Sequence, residues 1–327
     1  MQTKNSVEKP STTPAWEPYT TGSVTSKDGT TIGYRQLGQG PALVLVQGAM
    51  GSAQNFMQLA GMLADAFTVY LPDRRGRGQS PLAYSKNYRI QKDVEDIDAL
   101  LAKTGAHAVF GLSSGALICL EAALTLPAIH QAAIYEPPLF LSSSEPTAFV
   151  SRFGREMARG KVAAALVTAM KGARMGPPLF NVMPRLLLES LTNMVMKSED
   201  KKGSGEYLPM KELAPALQYD FQVVVEMSRK LETFQALSAE VLLLGGSKSP
   251  AYLKAALDAL EQVLPHVKRV EFPGLRHAAA WNYDKQRNPG GQPEVVAQAL
   301  RRFFAEPEHS WHTTECFLIE DKRKEQK

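Results

Sequence analysis

Short, continuous runs of apolar residues, separated by segments with helical periodicity, constrain the fold of this 327-residue chain more than any other feature. Runs that lack alternating polar residues are typical of strands covered on both faces. Strands that alternate with helices predict a parallel sheet with right-handed crossovers. We therefore expect an α/β fold, with a mostly parallel central sheet flanked by helices. The predicted strands are 42–46, 67–71, 106–110, 132–135, 241–244 and 267–272.

Turn and cap residues mark where the other elements begin and end. Asp28 and Gly29 lie between two short strand-like runs and predict a hairpin within 22–37. Ser52 is a favourable N-cap for the first helix, and Pro293 is a favourable first residue for the last one. The predicted helices of the sheet region are 53–65, 90–103, 114–127, 250–263 and 293–304.

The segment 139–236 interrupts the alternation, because it carries only helical patterns and holds eight of the twelve methionines. Methionine packs adaptably against irregular apolar shapes, so these residues suit either the core of a helical lobe or the lining of a pocket. We predict a core at 21–138 and 237–305, with a helical cap at 139–236 inserted between its two parts. Residues 1–20 are polar and form a predicted N-terminal arm, and residues 306–327 form a predicted C-terminal tail.

The composition argues against several classes of function. A net charge of +4, without a basic stripe interleaved with aromatic residues, predicts no nucleic-acid partner. Two cysteines cannot build a disulfide framework, which favours a reduced, cytoplasmic setting. We expect no secretory signal, because the first 18 residues contain no apolar h-region. We also expect no membrane span, because no apolar run approaches about 18 residues. No cluster of His, Cys, Asp or Glu has metal-ligand spacing, so we expect neither a metal nor another cofactor.

The segment 111–115 reads GLSSG and stands between a predicted strand and a predicted helix. In this context a G-x-S-x-G pattern indicates a tight turn that lifts the serine hydroxyl clear of the sheet edge. The positive end of the helix then faces the negative charge that develops during acyl transfer. We therefore predict Ser113 as a nucleophile. The alternative is a glycine-rich turn without chemistry, and Ser114 is the poorer nucleophile because the second glycine is too close to it.

His277 is the histidine best placed to activate this serine. It follows the last predicted strand and a Pro-Gly turn, and histidine titrates near neutral pH, as a general base must. The alternative is a surface histidine without a partner. The other histidines flank strands, lie in a short connection or belong to the tail: His107, His130, His266, His309 and His312.

Taken together, residues 22–305 resemble the α/β-hydrolase family. The motif QGAMG at 47–51 is similar to the family's H-G-x-x-G turn, DRRGRGQS at 73–80 to its D-x-R-G-x-G-x-S loop, and PGLRH at 273–277 to its final G-x-x-H. The resemblance implies an oxyanion hole made by the backbone N–H groups of Ala49 and Ser114. Gln47 replaces the usual histidine, but backbone donors do not depend on that side chain.

The acid of the triad is the point at which the sequence departs from the family. The family usually has an Asp after strand seven, but the segment 245–250 reads GGSKSP and contains no carboxylate. Glu136 directly follows the sixth strand, 23 residues after Ser113, and some haloalkane dehalogenases and zearalenone lactonases are similar in taking their acid from this point. We predict that Glu136 accepts the second imidazole N–H of His277. The alternatives are that Glu136 bonds the cap's entry loop, or that Asp284 is the acid.

Three arginines in the 73–80 segment allow two interpretations. Arg74, Arg75 and Arg77 with the glycines between them could cradle a phosphate, but the spacing is not that of a P-loop and no Lys-Ser/Thr follows. We therefore interpret the segment as a structural turn.

These residues predict a serine hydrolase that cleaves an ester or lactone through an acyl-enzyme. A serine at the elbow argues against haloalkane dehalogenation and epoxide opening, which need a carboxylate nucleophile. The large apolar cap favours a bulky, hydrophobic, small-molecule substrate, for which a macrolactone such as zearalenone is an example. Two alternatives stay open, a carbon–carbon bond hydrolase with the same triad and a non-catalytic ligand-binding homologue, and the oligomeric state is also open. The residues expected to contact substrate are Gln47, Met50, Leu112, Met157 and Met183.

Overall fold

The computed structural model describes residues 18–141, 147–173, 179–203 and 207–305. Its centre is an eight-stranded sheet in the order β1-β2-β4-β3-β5-β6-β7-β8. Strand β2 pairs antiparallel with both β1 and β4. The other six strands, β3 to β8, run parallel to one another, which confirms the predicted fold class. The strands are β1 Thr20–Thr25, β2 Thr31–Leu37, β3 Ala42–Val46, β4 Thr68–Pro72, β5 Ala108–Leu112, β6 Gln131–Tyr135, β7 Glu240–Gly246 and β8 Val267–Phe272.

Helices cover both faces of the sheet. The helices are α1 Met57–Leu63, α2 Gln91–Thr104, α3 Ser114–Thr125, α4 Thr147–Ala158, α5 Val162–Gly172, α6 Leu179–Val182, α7 Arg185–Lys202, α8 Met210–Leu213, α9 Leu217–Met227, α10 Ala251–Val263 and α11 Pro293–Ala305. Within β3, Val44 and Val46 face the apolar core shared with α2, α3 and α10, whereas Leu43 and Leu45 face the core shared with α1 and α11. Two-sided burial explains why the strands carry unbroken apolar runs.

Two predicted boundaries were wrong for local reasons. The predicted strand 106–110 begins at Ala108, because the amide of Ala106 instead donates to the side chain of Thr104 at the end of α2. The predicted helix 53–65 is divided into a 3₁₀ turn, Ala53–Phe56, and α1. Asn282 causes this division, since its side chain accepts from the amide of Gln58 and donates to the carbonyl of Gln54, the pair that a continuous helix would join.

The elements that the structure describes between β6 and β7 are all helices, as the sequence predicts. Helices α4, α5, α7 and α9 enclose a separate apolar cluster around Phe153 and Phe221, and Ala49 and Met50 pack against that cluster from the sheet region. Met227 is buried and Met194 is exposed, so the methionines of this segment have no common role. The division into core and cap stays a prediction. Most of the predicted arm, the predicted tail and Met175 lie outside the described residues, although β1 already begins at Thr20.

Candidate active site

Ser113 occupies a strained turn between β5 and α3. Its φ of 58° and ψ of −123° lie in a region that non-glycine residues rarely adopt, and such strain is concentrated at functional sites. The flanking glycines allow this geometry, because a Cβ on Gly111 would lie 2.5 Å from the carbonyl oxygen of Gly115. A Cβ on Gly115 would lie 2.4 Å from the carbonyl oxygen of Val46. The G-x-S-x-G spacing therefore has a steric basis in this chain.

Glu136 and His277 are in direct contact. His277 Nδ1 lies 2.7 Å from Glu136 Oε2, and Glu136 Oε1 accepts the amide of Gly246 at 2.6 Å. A carboxylate accepts hydrogen bonds and does not donate them, so the ring proton in this contact is on Nδ1 and Nε2 is left as the basic nitrogen. Glu136 is fully buried and the side chain of His277 is 28% exposed. This is the arrangement that a triad acid and base require.

The strand register brings Ser113 and Glu136 to the same edge of the sheet. Leu112 in β5 pairs with Tyr135 in β6, so the residues that follow them emerge side by side. The Ser113 amide donates to the carbonyl of Tyr135 at 2.9 Å. Glu136 itself has a left-handed φ of 45°, and it precedes a proline, which normally favours an extended residue. Two residues with strained backbone angles, each directly after one of two neighbouring strands, thus lie at this edge.

The segment that carries His277 is fixed by Tyr135. The Tyr135 hydroxyl donates to the carbonyl of Arg276 at 3.1 Å. Burial, with the nearby charge of Glu136, raises the pKa of Tyr135 well above its usual value, so this hydroxyl stays protonated and remains a donor. Asp284, the alternative acid, instead accepts the amides of Gln286 and Arg287 within its own loop.

The segment 47–51 lies directly against Ser113. A Cβ on Gly48 would lie 2.8 Å from Ser113 Cβ and 3.5 Å from its hydroxyl oxygen. Ser114 is the first residue of α3, where amides have no intrahelical acceptor. Gln47 is fully buried and its Nε2 donates to the carbonyl of Pro72 at 2.9 Å, while Met50 has a positive φ of 56°. Gly48 is therefore adjacent to the nucleophile candidate, and the predicted oxyanion donors Ala49 and Ser114 directly follow Gly48 and Ser113 in the chain.

The arginines of the 73–80 segment are each paired with buried carboxylates. Arg75 forms two 2.6 Å contacts with Asp96 in α2. Arg74 contacts Asp93 at 3.1 Å and Asp220 at 2.7 Å, and Arg77 also pairs with Asp220. A guanidinium already neutralised in this way does not present a phosphate site. The structural interpretation of this segment agrees with these contacts.

Sequence reasoning missed Asp220. It lies in α9, in the apolar segment LQYDFQVVV, more than 140 residues from the arginines that it contacts. The available signal was indirect. Three arginines in a loop of a chain with a large core require buried acidic partners, and a single Asp in an apolar helix is a candidate for one.

A cleft of about 660 Å³ is lined by Met50, the residue after the predicted oxyanion donor Ala49, and by Trp281, whereas Ser113, Glu136 and His277 are not among its lining residues. Its lining is mixed, with Leu208 and Met210 among the apolar residues and Asn55, Glu199 and Tyr207 among the polar ones. Of the residues expected to contact substrate, Met50 lines this cleft. Leu112 is buried in the core shared with α1 and α11, and Met157 packs against the helical cluster. Met183 is half-buried just after α6, and its carbonyl accepts from Lys171.

The described ranges contain no group of three or more His, Cys, Asp or Glu side chains suited to hold a metal ion. Across those same residues, none of the helices combines the length and the apolar character needed to cross a bilayer.

Comparison with known proteins places this site in a family context. Residues 43–299 match the alpha/beta hydrolase family, so the protein belongs to that family and is a hydrolase of this type. An uncharacterized hydrolase of Bacillus subtilis (strain 168), YraK, is 30% identical over 79% of this chain and 90% of its own length. A pimeloyl-(acyl-carrier protein) methyl ester esterase of Xanthomonas axonopodis pv. citri (strain 306) is 25% identical over 82% of this chain and 97% of its own length.

A solved structure agrees with this assignment. The crystal structure of an alpha/beta hydrolase from Sphaerobacter thermophilus DSM 20745 has a TM-score of 0.68 at 28% sequence identity. The structural alignment covers 86% of this chain and 100% of the other chain.

Proposed function

We propose that the protein is a serine hydrolase that cleaves a carboxylic ester or lactone, with Ser113 as nucleophile, His277 as general base and Glu136 as the acid of the triad. The observation that carries the proposal is the 2.7 Å contact between His277 Nδ1 and the buried Glu136, at the sheet edge where Ser113 adopts a strained turn. A contact of this type fixes the imidazole tautomer and stabilises the imidazolium that forms during catalysis.

The chemistry follows from these positions. His277 Nε2 takes the proton of the Ser113 hydroxyl as the oxygen attacks the carbonyl carbon, and the N–H groups of Ala49 and Ser114 bind the oxyanion. The C–O bond of the substrate then breaks, and the alcohol leaves with the proton from His277. Water then attacks the carbonyl carbon of the acyl-enzyme as His277 takes one of its protons. The bond between this carbon and Ser113 Oγ breaks, His277 returns the proton to Ser113 Oγ, and the acid product leaves.

The substrate that we propose is a bulky, uncharged ester or lactone. A cleft of about 660 Å³ is within the usual range for small-molecule sites, roughly 300–1,000 Å³. Its mixed lining suits a substrate with a hydrophobic body and a few polar groups, such as a macrolactone of the zearalenone kind. The relative named a methyl ester esterase supports ester cleavage in particular.

Two assays test this function. A fluorophosphonate probe labels an activated serine, and we expect it to label the wild type and Ser228→Ala but not Ser113→Ala. Ser228 is a suitable control because, within the described ranges, its hydroxyl donates to the carbonyl of Val225 at the end of α9. Absence of labelling in the wild type would overturn the proposal and favour a ligand-binding homologue.

The second assay is a substrate panel. It contains p-nitrophenyl esters from acetate to laurate, an aryl lactone and a vinylogous diketone. We expect turnover of the esters or the lactone that depends on Ser113. Turnover of the diketone alone would replace ester hydrolysis by carbon–carbon bond hydrolysis.

A further inference from the structure

The carboxylate of Asp220 connects α9 to the turn that carries the nucleophile. Asp220 Oδ1 accepts from Ser114 Oγ at 2.6 Å and from Arg74 Nη1 at 2.7 Å, and Oδ2 accepts from Arg77 Nη2. Asp220 is 1% exposed. One buried carboxylate therefore holds the residue after Ser113 and two arginines at the same time.

Arg77 transmits this contact to the segment 47–51. Its Nη1 donates to the carbonyl of Gly48 at 3.0 Å and to that of Gly51 at 3.3 Å. The Gly48 carbonyl and the Ala49 N–H belong to one planar trans peptide, in which the two bonds point in opposite directions. A guanidinium that fixes this carbonyl therefore also fixes the direction of the Ala49 N–H. Arg74 adds a 3.3 Å contact to the carbonyl of Gln47.

We propose that Asp220 is a positioning residue of the oxyanion hole: through Arg77 and Ser114 it orients the backbone N–H groups of Ala49 and Ser114. The inference rests on the proposed function, because it assumes that these two amides bind an oxyanion. It adds that a residue of the helical segment between β6 and β7, far from the triad in sequence, sets the geometry of transition-state binding. Donors of this kind act only when they are held at the place where charge develops.

The principal variant is Asp220→Asn, which keeps the shape of the side chain and removes its charge. We expect kcat on the best ester to fall about 10–100-fold, because a displaced donor costs less than the 10²–10³-fold of a deleted one, while KM changes less than about threefold. Phenylboronic acid is the diagnostic probe, since its tetrahedral adduct on serine places an oxygen in the oxyanion hole. Its inhibition constant should rise in proportion to the fall in kcat/KM.

Asp96→Asn is the matched control. It breaks the buried pair of Arg75, an arginine of the same loop, whose contacts run to α2 and the β1–β2 hairpin and not to segment 47–51. We expect kcat and the boronate inhibition constant of Asp96→Asn, per folded molecule, to stay within about twofold of wild type. An equal loss of kcat in the two variants would overturn the proposal, and so would a normal kcat in folded Asp220→Asn.

Ser114→Ala tests the positioning role of Asp220 if the Asp220→Asn variant does not fold. It removes the hydrogen bonds of Ser114 Oγ with Asp220 and with Arg74 but leaves the salt bridges of Asp220 with both arginines in place, and we expect a fall in kcat of about 3–10-fold with KM unchanged. Wild-type kcat in Ser114→Ala would overturn the proposal in that case. Failure of the proposed function gives a different result, because the wild type itself then shows no Ser113-dependent labelling or turnover.

Discussion

Two polar clusters lie on either side of the Ser113 turn, and they differ in how completely they are enclosed. In the triad cluster the side chain of His277 is 28% exposed, and one imidazole nitrogen is left for proton transfer. In the arginine cluster Arg74, Arg77, Asp220 and Ser114 are all at most 5% exposed. Under the proposed function, the groups that exchange protons are therefore reachable from solvent, whereas the groups that hold a geometry are enclosed and have several partners.

The two clusters also differ in how their charges are balanced. The arginine cluster balances two guanidinium groups against Asp93 and Asp220, so removal of one member leaves a buried charge without its partner. The triad cluster contains one carboxylate, which is satisfied by His277 and by the amide of Gly246. Substitutions in the triad cluster should therefore affect activity alone, and those in the arginine cluster should affect activity and stability together.

The largest expected effect belongs to Ser113→Ala. We expect kcat to fall by about 10⁶-fold, since removal of the nucleophile disables the whole unit, with Tm within a few degrees of wild type. Ester turnover and thermal unfolding monitored by circular dichroism are the measurements. Substantial residual turnover would mean that the chemistry does not depend on this hydroxyl.

Glu136→Gln comes next, with a fall in kcat of up to about 10⁴-fold while the fold persists. The glutamine oxygen can still accept the Gly246 amide, but its NH₂ group cannot accept the proton on His277 Nδ1. Steady-state kinetics provide the test, with Asp284→Asn measured beside it. A large loss at Asp284 and near-normal turnover in Glu136→Gln would contradict the assignment of the acid.

Gly48→Ala should lower kcat by about 10–100-fold, because the added Cβ would lie 2.8 Å from Ser113 Cβ and 2.9 Å from the carbonyl oxygen of Leu112. The substitution shifts the peptide that carries the Ala49 donor. Gly154→Ala is the matched control, since nothing lies within 4 Å of its added Cβ and it is in the interior of α4. We expect that control to stabilise the protein by about 0.5–1 kcal/mol at unchanged kcat. Equal kinetics in the two variants would refute the steric argument.

The smallest expected effect is the change, between pH 6 and pH 8, in the contribution of Asp220 to the free energy of unfolding. Burial works to raise the pKa of Asp220, but Arg77 and Arg74 outweigh it and hold the pKa below its usual value. The ionised carboxylate therefore stabilises the fold at every pH above the unfolded-state pKa of about 4, and this contribution is lost only as the pH falls through the lower folded-state value. Asp220→Asn should cost about 3–5 kcal/mol of unfolding free energy at both pH 6 and pH 8.

Urea denaturation across pH measures this difference. Asp258→Asn provides a surface comparison, because the Asp258 side chain is 65% exposed and its pair with Arg269 should be worth less than about 1 kcal/mol. A cost at Asp220 that grows or shrinks between pH 6 and pH 8 would contradict the direction of its pKa shift.

The sheet and much of the candidate site could be predicted from the sequence, because their signals are local. Unbroken apolar runs indicate buried strands, and the glycines beside Ser113 are required by atoms within a few residues or on the next strand. Glu136 was predictable from its position, since the ends of neighbouring parallel strands meet at one edge. Its role in catalysis, like those of Ser113 and His277, stays a prediction.

The arginine cluster could not be predicted, because its partners are distant in sequence and have no characteristic spacing. Arg74 and Arg77 meet Asp220 across 146 and 143 residues, and a single Asp in an apolar helix has no pattern of its own. The division of helix 53–65 was hidden for the same reason. It depends on Asn282, a side chain more than 220 residues away.

The location of Asp220 has a consequence for recombination within the family. Ser113, Glu136 and His277 all lie on segments attached to the sheet, so a graft that exchanged the helices between β6 and β7 would leave these three residues untouched. The same graft would remove the carboxylate that Arg74 and Arg77 share. A chimaera built from this protein would therefore have to retain α9, or supply an equivalent acid, to preserve the contacts of Ser114, Arg74 and Arg77 on which the proposed oxyanion hole depends.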